Sequence, residues 1–244
     1  MRRIALLVAL GMVATVGLAL AEDKDAKAII QRAIASHGGA EALTKAQTCK
    51  RTDKGKQARL DKEETFVSHV TRQLPDKVRL QVKMGKDFET VMVLDGETGW
   101  QADNGGPAAK MQVARTREVR EEVYLWYITT LVPLLGKEFT LSTLPETKVG
   151  AEAAVGVKVE RKGYADTKLY FNKRNGILIS AERRVSEAGL PIDKEYLFEG
   201  HKSFDGAMLP TRESEKRNKR KWTEVTISDY SFPTKFDADT FAKP

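Results

Sequence analysis

From about Thr48 onward, the apolar residues of this chain recur at every second position, and that period decides the kind of fold it can reach. Val78, Leu80, Val82 and Met84 alternate with Lys77, Arg79, Gln81 and Lys83, the pattern of a strand with one dry and one wet face. Val155, Val157 and Val159 repeat it, and Ile177, Ile179 and Ala181 are read as the dry phase of another strand. Between such runs stand Asp95-Gly96, Asn175-Gly176 and Asp205-Gly206, dipeptides that tolerate positive φ and favour tight hairpins. Short strands joined by such turns predict one large antiparallel meander.

Two segments break the period. Ala26, Ile29, Ile30, Ala33 and Ile34 share one helical face, and His37-Gly38-Gly39 supplies a left-handed stop. The second helical pattern runs Val119, Val123, Trp126, Tyr127, Thr130, Leu131 and Leu134, beginning charged and turning apolar nearly all round over 124–131, with Pro133 to end or kink it. In 88–94 both phases are apolar, so that strand should be covered on both faces, and this helix is the candidate cover. Its apolar stretch, 124–135, is expected to be clamped in the concavity of the sheet or to line an apolar pocket.

The first 21 residues place the chain in a compartment. A basic Met1-Arg2-Arg3 head, an apolar run over 4–18 and the small-x-small site Ala19-Leu20-Ala21 read as a cleavable signal, with an uncleaved anchor as the alternative. The mature protein, 22–244, is expected to be a single exported domain, periplasmic or otherwise outside the cytoplasm, and soluble after processing. The formal charge of +7 is spread over 41 Lys+Arg and 34 Asp+Glu, a mixed surface without a nucleic-acid footprint. The only cysteine, Cys49, rules out an intramolecular disulfide; it reads as a small core residue, or as a free thiol. Lys216, Arg217, Lys219, Arg220 and Lys221 form a basic cluster between two strand-like runs, either a solvated hairpin tip or a contact for anionic lipid at a membrane surface.

Chemistry is sparse. The chain has no G-x-S-x-G elbow, H-E-x-x-H pair, phosphate loop or zinc-spaced cysteines, and His37, His69 and His201 are scattered. Glu63-Glu64 and Glu121-Glu122 fall in charged stretches and read as solvated faces. No catalytic residue, metal ligand or cofactor is assigned, and the expectation is a protein that is not an enzyme.

The segments Ala33-Ile34-Ala35-Ser36-His37-Gly38-Gly39-Ala40-Glu41-Ala42-Leu43, Val93-Leu94-Asp95-Gly96-Glu97-Thr98-Gly99-Trp100 and Trp126-Tyr127-Ile128-Thr129-Thr130-Leu131-Val132-Pro133-Leu134, with Phe236-Asp237-Ala238-Asp239-Thr240-Phe241 near the end, resemble the outer-membrane lipoprotein-sorting family of Lol-type carriers. The resemblance implies a mainly β fold, a large antiparallel sheet curved into an incomplete half-barrel. An N-terminal helix and a central apolar helix would cover a concave apolar face that holds acyl chains. The chain has no cysteine at the processing site, which aligns it with soluble carriers rather than lipidated acceptors. Met92, Leu94, Trp100, Val123, Trp126, Tyr127, Leu131 and Leu134 are the expected cavity residues. The function expected is a monomeric carrier for a lipid or lipoprotein acyl chain; the alternative is an envelope interaction or sensor protein that docks a protein partner through the same half-barrel.

Overall fold

The computed structural model describes residues 13–59 and 62–244, with backbone alone for 13–24. The proposed signal, 1–21, therefore lies largely outside the described residues. Helices α1 (Val13–Ser36) and α2 (Ala40–Lys45) lead into β1 (Thr48–Arg59), β2 (Lys62–Gln73), β3 (Lys77–Met84), β4 (Phe88–Asp95), β5 (Thr98–Asp103) and the short β6 (Ala109–Lys110). Helix α3 (Val113–Ile128) and a 3-10 turn, Val132–Leu135, separate these from β7 (Thr140–Val149), β8 (Glu152–Glu160), β9 (Thr167–Asn172), β10 (Leu178–Glu187) and β11 (Leu190–Glu199). The hairpin β12 (Lys202–Phe204) and β13 (Ala207–Leu209) precedes β14 (Arg212–Arg217) and β15 (Arg220–Ser231).

Thirteen strands form one antiparallel sheet in the order β6-β5-β4-β3-β2-β1-β15-β14-β11-β10-β9-β8-β7. The last long strand pairs with the first, Lys50 opposite Ser231 and Gln57 opposite Thr223, which joins two meanders into one surface. The edges β6 and β7 do not meet, so the sheet stays an open half-barrel. Pro145 and a register break between Leu144 and Thr147 interrupt the outer edge, β7, which blunts it as a template for further pairing.

The alternation seen in the sequence sets the inner face over most strands. Val78 is buried on β3, and Val157 and Val159 on β8. On β10 the expected dry phase holds at Ala181 but fails at Ile177 and Ile179. A bulge between Leu178 and Ser180 shifts the register, so Leu178 and Ala181 enter the core and Ile179 is left half-buried. The two-sided strand β4 is covered twice: Leu94 packs with Val123 of α3, while Val93, fully buried, pairs with Trp100 on the opposite face. There the C-terminal segment arrives, with Lys243 Nζ 4.9 Å from the Trp100 ring centroid. Phe236 of the same segment lies 5.6 Å from Lys50 of β1, so it straps the convex side.

The His37-Gly38-Gly39 stop does more than end α1. Gly38, at φ 97°, lies so near the β12–β13 hairpin that a Cβ there would sit 1.8 Å from the Gly206 carbonyl oxygen. Met208 N–H donates to His37 O at 2.9 Å. The His37 ring joins α1 to the β10 bulge: Nδ1 meets Ala33 O at 2.8 Å, and Nε2 accepts from the Leu178 N–H at 3.3 Å. That pair of contacts assigns the proton to Nδ1 and keeps the ring neutral, in line with burial, which lowers its pKa.

Candidate functional site

Helix α3 lies in the concavity, and charged side chains as well as apolar ones hold it there. Val119, Val123 and Trp126 face β2–β4, while Tyr124, Leu125 and Ile128 join a core with α1 and β7–β11. Between these faces Glu121 binds Arg183 of β10, and Glu122 binds Lys194 of β11 at 2.6 Å. Glu118 accepts from the Ala188 N–H at 2.7 Å, which ties the β10–β11 turn to the same helix. Glu121-Glu122 is thus not a solvated face, because the side chains meet cations whose own side chains are 0% exposed.

The helix ends at Ile128 rather than running on to 135. Thr129 and Thr130 donate their hydroxyls back to the Trp126 and Tyr127 carbonyls, at 3.0 and 2.7 Å, and Leu131 turns to φ 66° ahead of Pro133. Leu131 therefore does not share a helical face with Val123 and Trp126.

Between α3 and strands β1–β5, β14 and β15 lies an open cavity of about 510 Å³, inside the roughly 300–1,000 Å³ range of small-molecule sites. Its apolar wall includes Phe66, Val82, Met84 and Met92 on the sheet and Val119 and Trp126 on the helix. Behind Trp126 a second, more enclosed chamber of about 190 Å³ extends toward His37 and His201. Glu122, Trp126, Glu215, Thr223 and Val225 line both.

The inner face is not uniformly apolar, contrary to expectation. A charged band crosses its centre. Arg51 of β1 forks onto Glu213 of β14, Nη1 to Oε1 at 2.8 Å and Nη2 to Oε2 at 3.1 Å, while its Nε lies 3.2 Å from Asp53. Lys194 meets Glu122, Glu187 and Glu215 at 2.6, 2.5 and 3.5 Å. Arg217 bridges Glu187 and Glu215 and stacks 4.2 Å from the Trp222 ring centroid. Burial alone would raise the Glu122 and Glu213 carboxyls, but Lys194 and Arg51 more than offset it and hold both below their ordinary values. At Asp53 and Glu215 burial prevails and both are pushed up.

Of the expected cavity residues, Met92, Val123 and Trp126 line the outer cavity. Leu94, Leu131 and Leu134 are buried in packed cores, Tyr127 packs against two of them, and Trp100 is on the convex side with Lys243. Arg217 of the basic cluster points inward, Lys216 pairs with Glu195 at 3.1 Å and Lys221 with Glu63 at 2.9 Å, so the five do not form one cationic patch. Cys49 is fully buried beside Ala46, Ile227 and Tyr230, and burial pushes its thiol up, away from reactivity. Among the described residues no group of three or more His, Cys, Asp or Glu side chains could hold a metal, and no helix is long and apolar enough to cross a membrane.

No family model and no curated protein matches the chain. Solved structures do. A LolA superfamily protein from Nitrosomonas europaea is similar with a TM-score of 0.62 at 13% identity, over 89% of this chain and 97% of that one. A putative outer membrane lipoprotein-sorting protein domain from Vibrio parahaemolyticus is similar with a TM-score of 0.56 at 12% identity, over 90% of this chain and 97% of that one. A DUF1329 family protein from Desulfovibrio piger is similar with a TM-score of 0.57 at 10% identity, covering 88% and 96%. The chain has the Lol-type fold, and at these identities the likeness is one of fold.

Proposed function

We propose that this protein is an exported, non-enzymatic carrier that holds an acyl chain, of a lipid or a lipoprotein, in the outer cavity between α3 and the sheet. The observation that carries the reading is the cavity itself: about 510 Å³, walled by Phe66, Val82, Met84 and Met92 on one side and by Val119 and Trp126 on the other. A chain burying about ten methylenes there would gain about 8 kcal/mol by transfer, before the cost of association is subtracted. The fold is shared with a domain named for outer membrane lipoprotein sorting, and the basic head and apolar run of residues 1–21 read as an export signal. Helix α3 acts as the cover, held by its ion pairs to β10 and β11 and by the apolar packing of Val123, Tyr124, Leu125 and Ile128.

The test is native mass spectrometry of protein purified from the envelope fraction, followed by lipid extraction and titration of the stripped protein with a fluorescent acyl probe. The expected result is co-purified acyl chains and saturable one-to-one binding. Protein that purifies without lipid and binds no acyl probe removes the carrier reading and leaves the half-barrel as a docking surface for a protein.

A further inference from the structure

Along the inner face of β2, Phe66, Ser68 and Val70 line the outer cavity, and the next residue of that phase, Arg72, lines the inner chamber. Arg72 is 7% exposed, and among the described residues no carboxylate lies within ion-pair distance of it. The charged groups around it are already taken. Asp53 and Glu213 are bound by Arg51, and Glu122 and Glu215 by Lys194. What Arg72 meets is the face of Trp126, at 5.9 Å, and the Cys49 thiol, while its Nε has no acceptor. Asp53 and Glu213 act on Arg72 through space, but neither reaches it as an ion pair, so its planar fork, which matches a carboxylate or phosphate, is left without a direct partner.

The chamber it faces also contains the His201 ring, the Thr129 and Thr130 segment, Ser214, and the carboxylates of Glu122, Glu213 and Glu215, which Lys194 and Arg51 already hold. At about 190 Å³ it takes a group of several heavy atoms, since one water needs only about 10–15 Å³ of such volume. It joins the apolar cavity at Trp126, whose ring has Arg51 and Arg72 at 5.8 and 5.9 Å. We propose that the inner chamber is a receptor for the anionic head, carboxylate or phosphate, of a single amphiphile whose acyl tail lies in the outer cavity, with Arg72 as the group that pairs with the head. This deepens the carrier reading and rests on it.

The experiment uses the tryptophan fluorescence of the stripped wild-type protein, titrated at pH 8 with palmitate and with methyl palmitate, which share a tail and differ in the head. Palmitate should bind at least about tenfold more tightly, since charge-assisted pairing to a buried Arg is the strong kind of hydrogen bond. In Arg72→Gln the ratio of the two affinities should fall to about one. Equal affinities in the wild type overturn the head assignment while leaving the carrier reading standing, whereas binding of neither ligand overturns both. Arg72→Gln that folds, as its melt shows, and keeps the wild-type ratio also overturns the role of Arg72; should it not fold, Arg72→Lys replaces it and should lower the ratio without abolishing it. Acetate and inorganic phosphate at millimolar concentration should not displace palmitate, and displacement would make the chamber a site for free anions instead.

Discussion

Lys194→Met removes the one cation shared by three carboxylates at the centre of the inner face. The Lys194 side chain is 0% exposed, and Glu122, Glu187 and Glu215 surround it at 2.6, 2.5 and 3.5 Å. Arg217 can still serve Glu187 and Glu215, and the Tyr196 hydroxyl still donates to Glu122 at 3.0 Å, but Glu122 loses its directly paired cation and keeps only the through-space pull of Arg183. Breaking a buried pair by removing one partner costs about 3–5 kcal/mol, which for a chain of this length lowers Tm by about 6–20 °C. The pH dependence follows from the two shifts. The Lys194 pKa is raised in the folded state, against the pull of burial, so its contribution is present below its unfolded value and fades only as pH rises through the folded one. The Glu122 pKa is lowered, so its contribution is present above about 4.5 and is lost as pH falls through the folded value. The gap between wild type and variant should therefore be widest between about pH 5 and 10 and narrow below about 4.5. Lys194→Met/Glu122→Gln should recover at least about 1 kcal/mol of the loss, the coupling expected of residues in one network. Urea unfolding of the four proteins at several pH values measures this. A loss below about 1 kcal/mol at pH 7, the worth of an exposed pair, would refute the conclusion that a desolvated network seats α3.

Three further outcomes follow from other parts of the molecule. Gly38→Ala forces a Cβ to within 1.8 Å of the Gly206 carbonyl at φ 97°, and should cost at least about 2 kcal/mol in denaturant unfolding; a change under about 0.5 kcal/mol would show that the β12–β13 contact is loose. His201 is held at about 4 by burial first and by the nearby His37 second, so the unfolded chain binds the proton first and stability falls as pH drops from about 6.5 to 4. His201→Gln should lose less than wild type over that interval, by up to about 3 kcal/mol, and parallel curves would contradict the assignment. Intact-mass analysis of envelope-fraction protein should give an N-terminus at Glu22, and retention of Met1 with sedimentation in membranes would make this an anchored protein.

The sheet was legible because its outer strands alternate cleanly: Val78, Leu80 and Val82 declare their dry face without help from context. The central strand β1 does not. Its inward residues are Cys49, Arg51 and Asp53, buried at 0%, 7% and 3%, and with polar residues in both phases the period carries no signal. One sign was available, since a strand so polar can occupy the middle of a sheet only if its inward charges are paired. Glu121-Glu122 was misread for the same reason. Pairing with Arg183 and Lys194 joins residues 62 and 72 positions apart, which no local pattern reports. On β10 a single bulge brings Leu178 inward in place of Ile177 and Ile179 while Ala181 keeps its expected side, a switch that the residue types support equally well either way. Leu131 and Leu134 were placed on a helix that the Thr129 and Thr130 back-bonds bring to an end. The cavity itself belongs to the spacing between α3 and the sheet, which long-range ion pairs and long-range apolar contacts meet across and no one segment reports.

The carrier account is tested most directly by photo-crosslinking with a diazirine-bearing palmitate, followed by peptide mapping of the adducts. Saturable labelling should fall on the inner face of residues 66–92 and on α3 residues 119–126, where Met84, Met92 and Trp126 line the cavity, and unlabelled palmitate should compete it away. Adducts confined to the convex side, around Trp100 and Phe236, or labelling that competitor does not reduce, would contradict it.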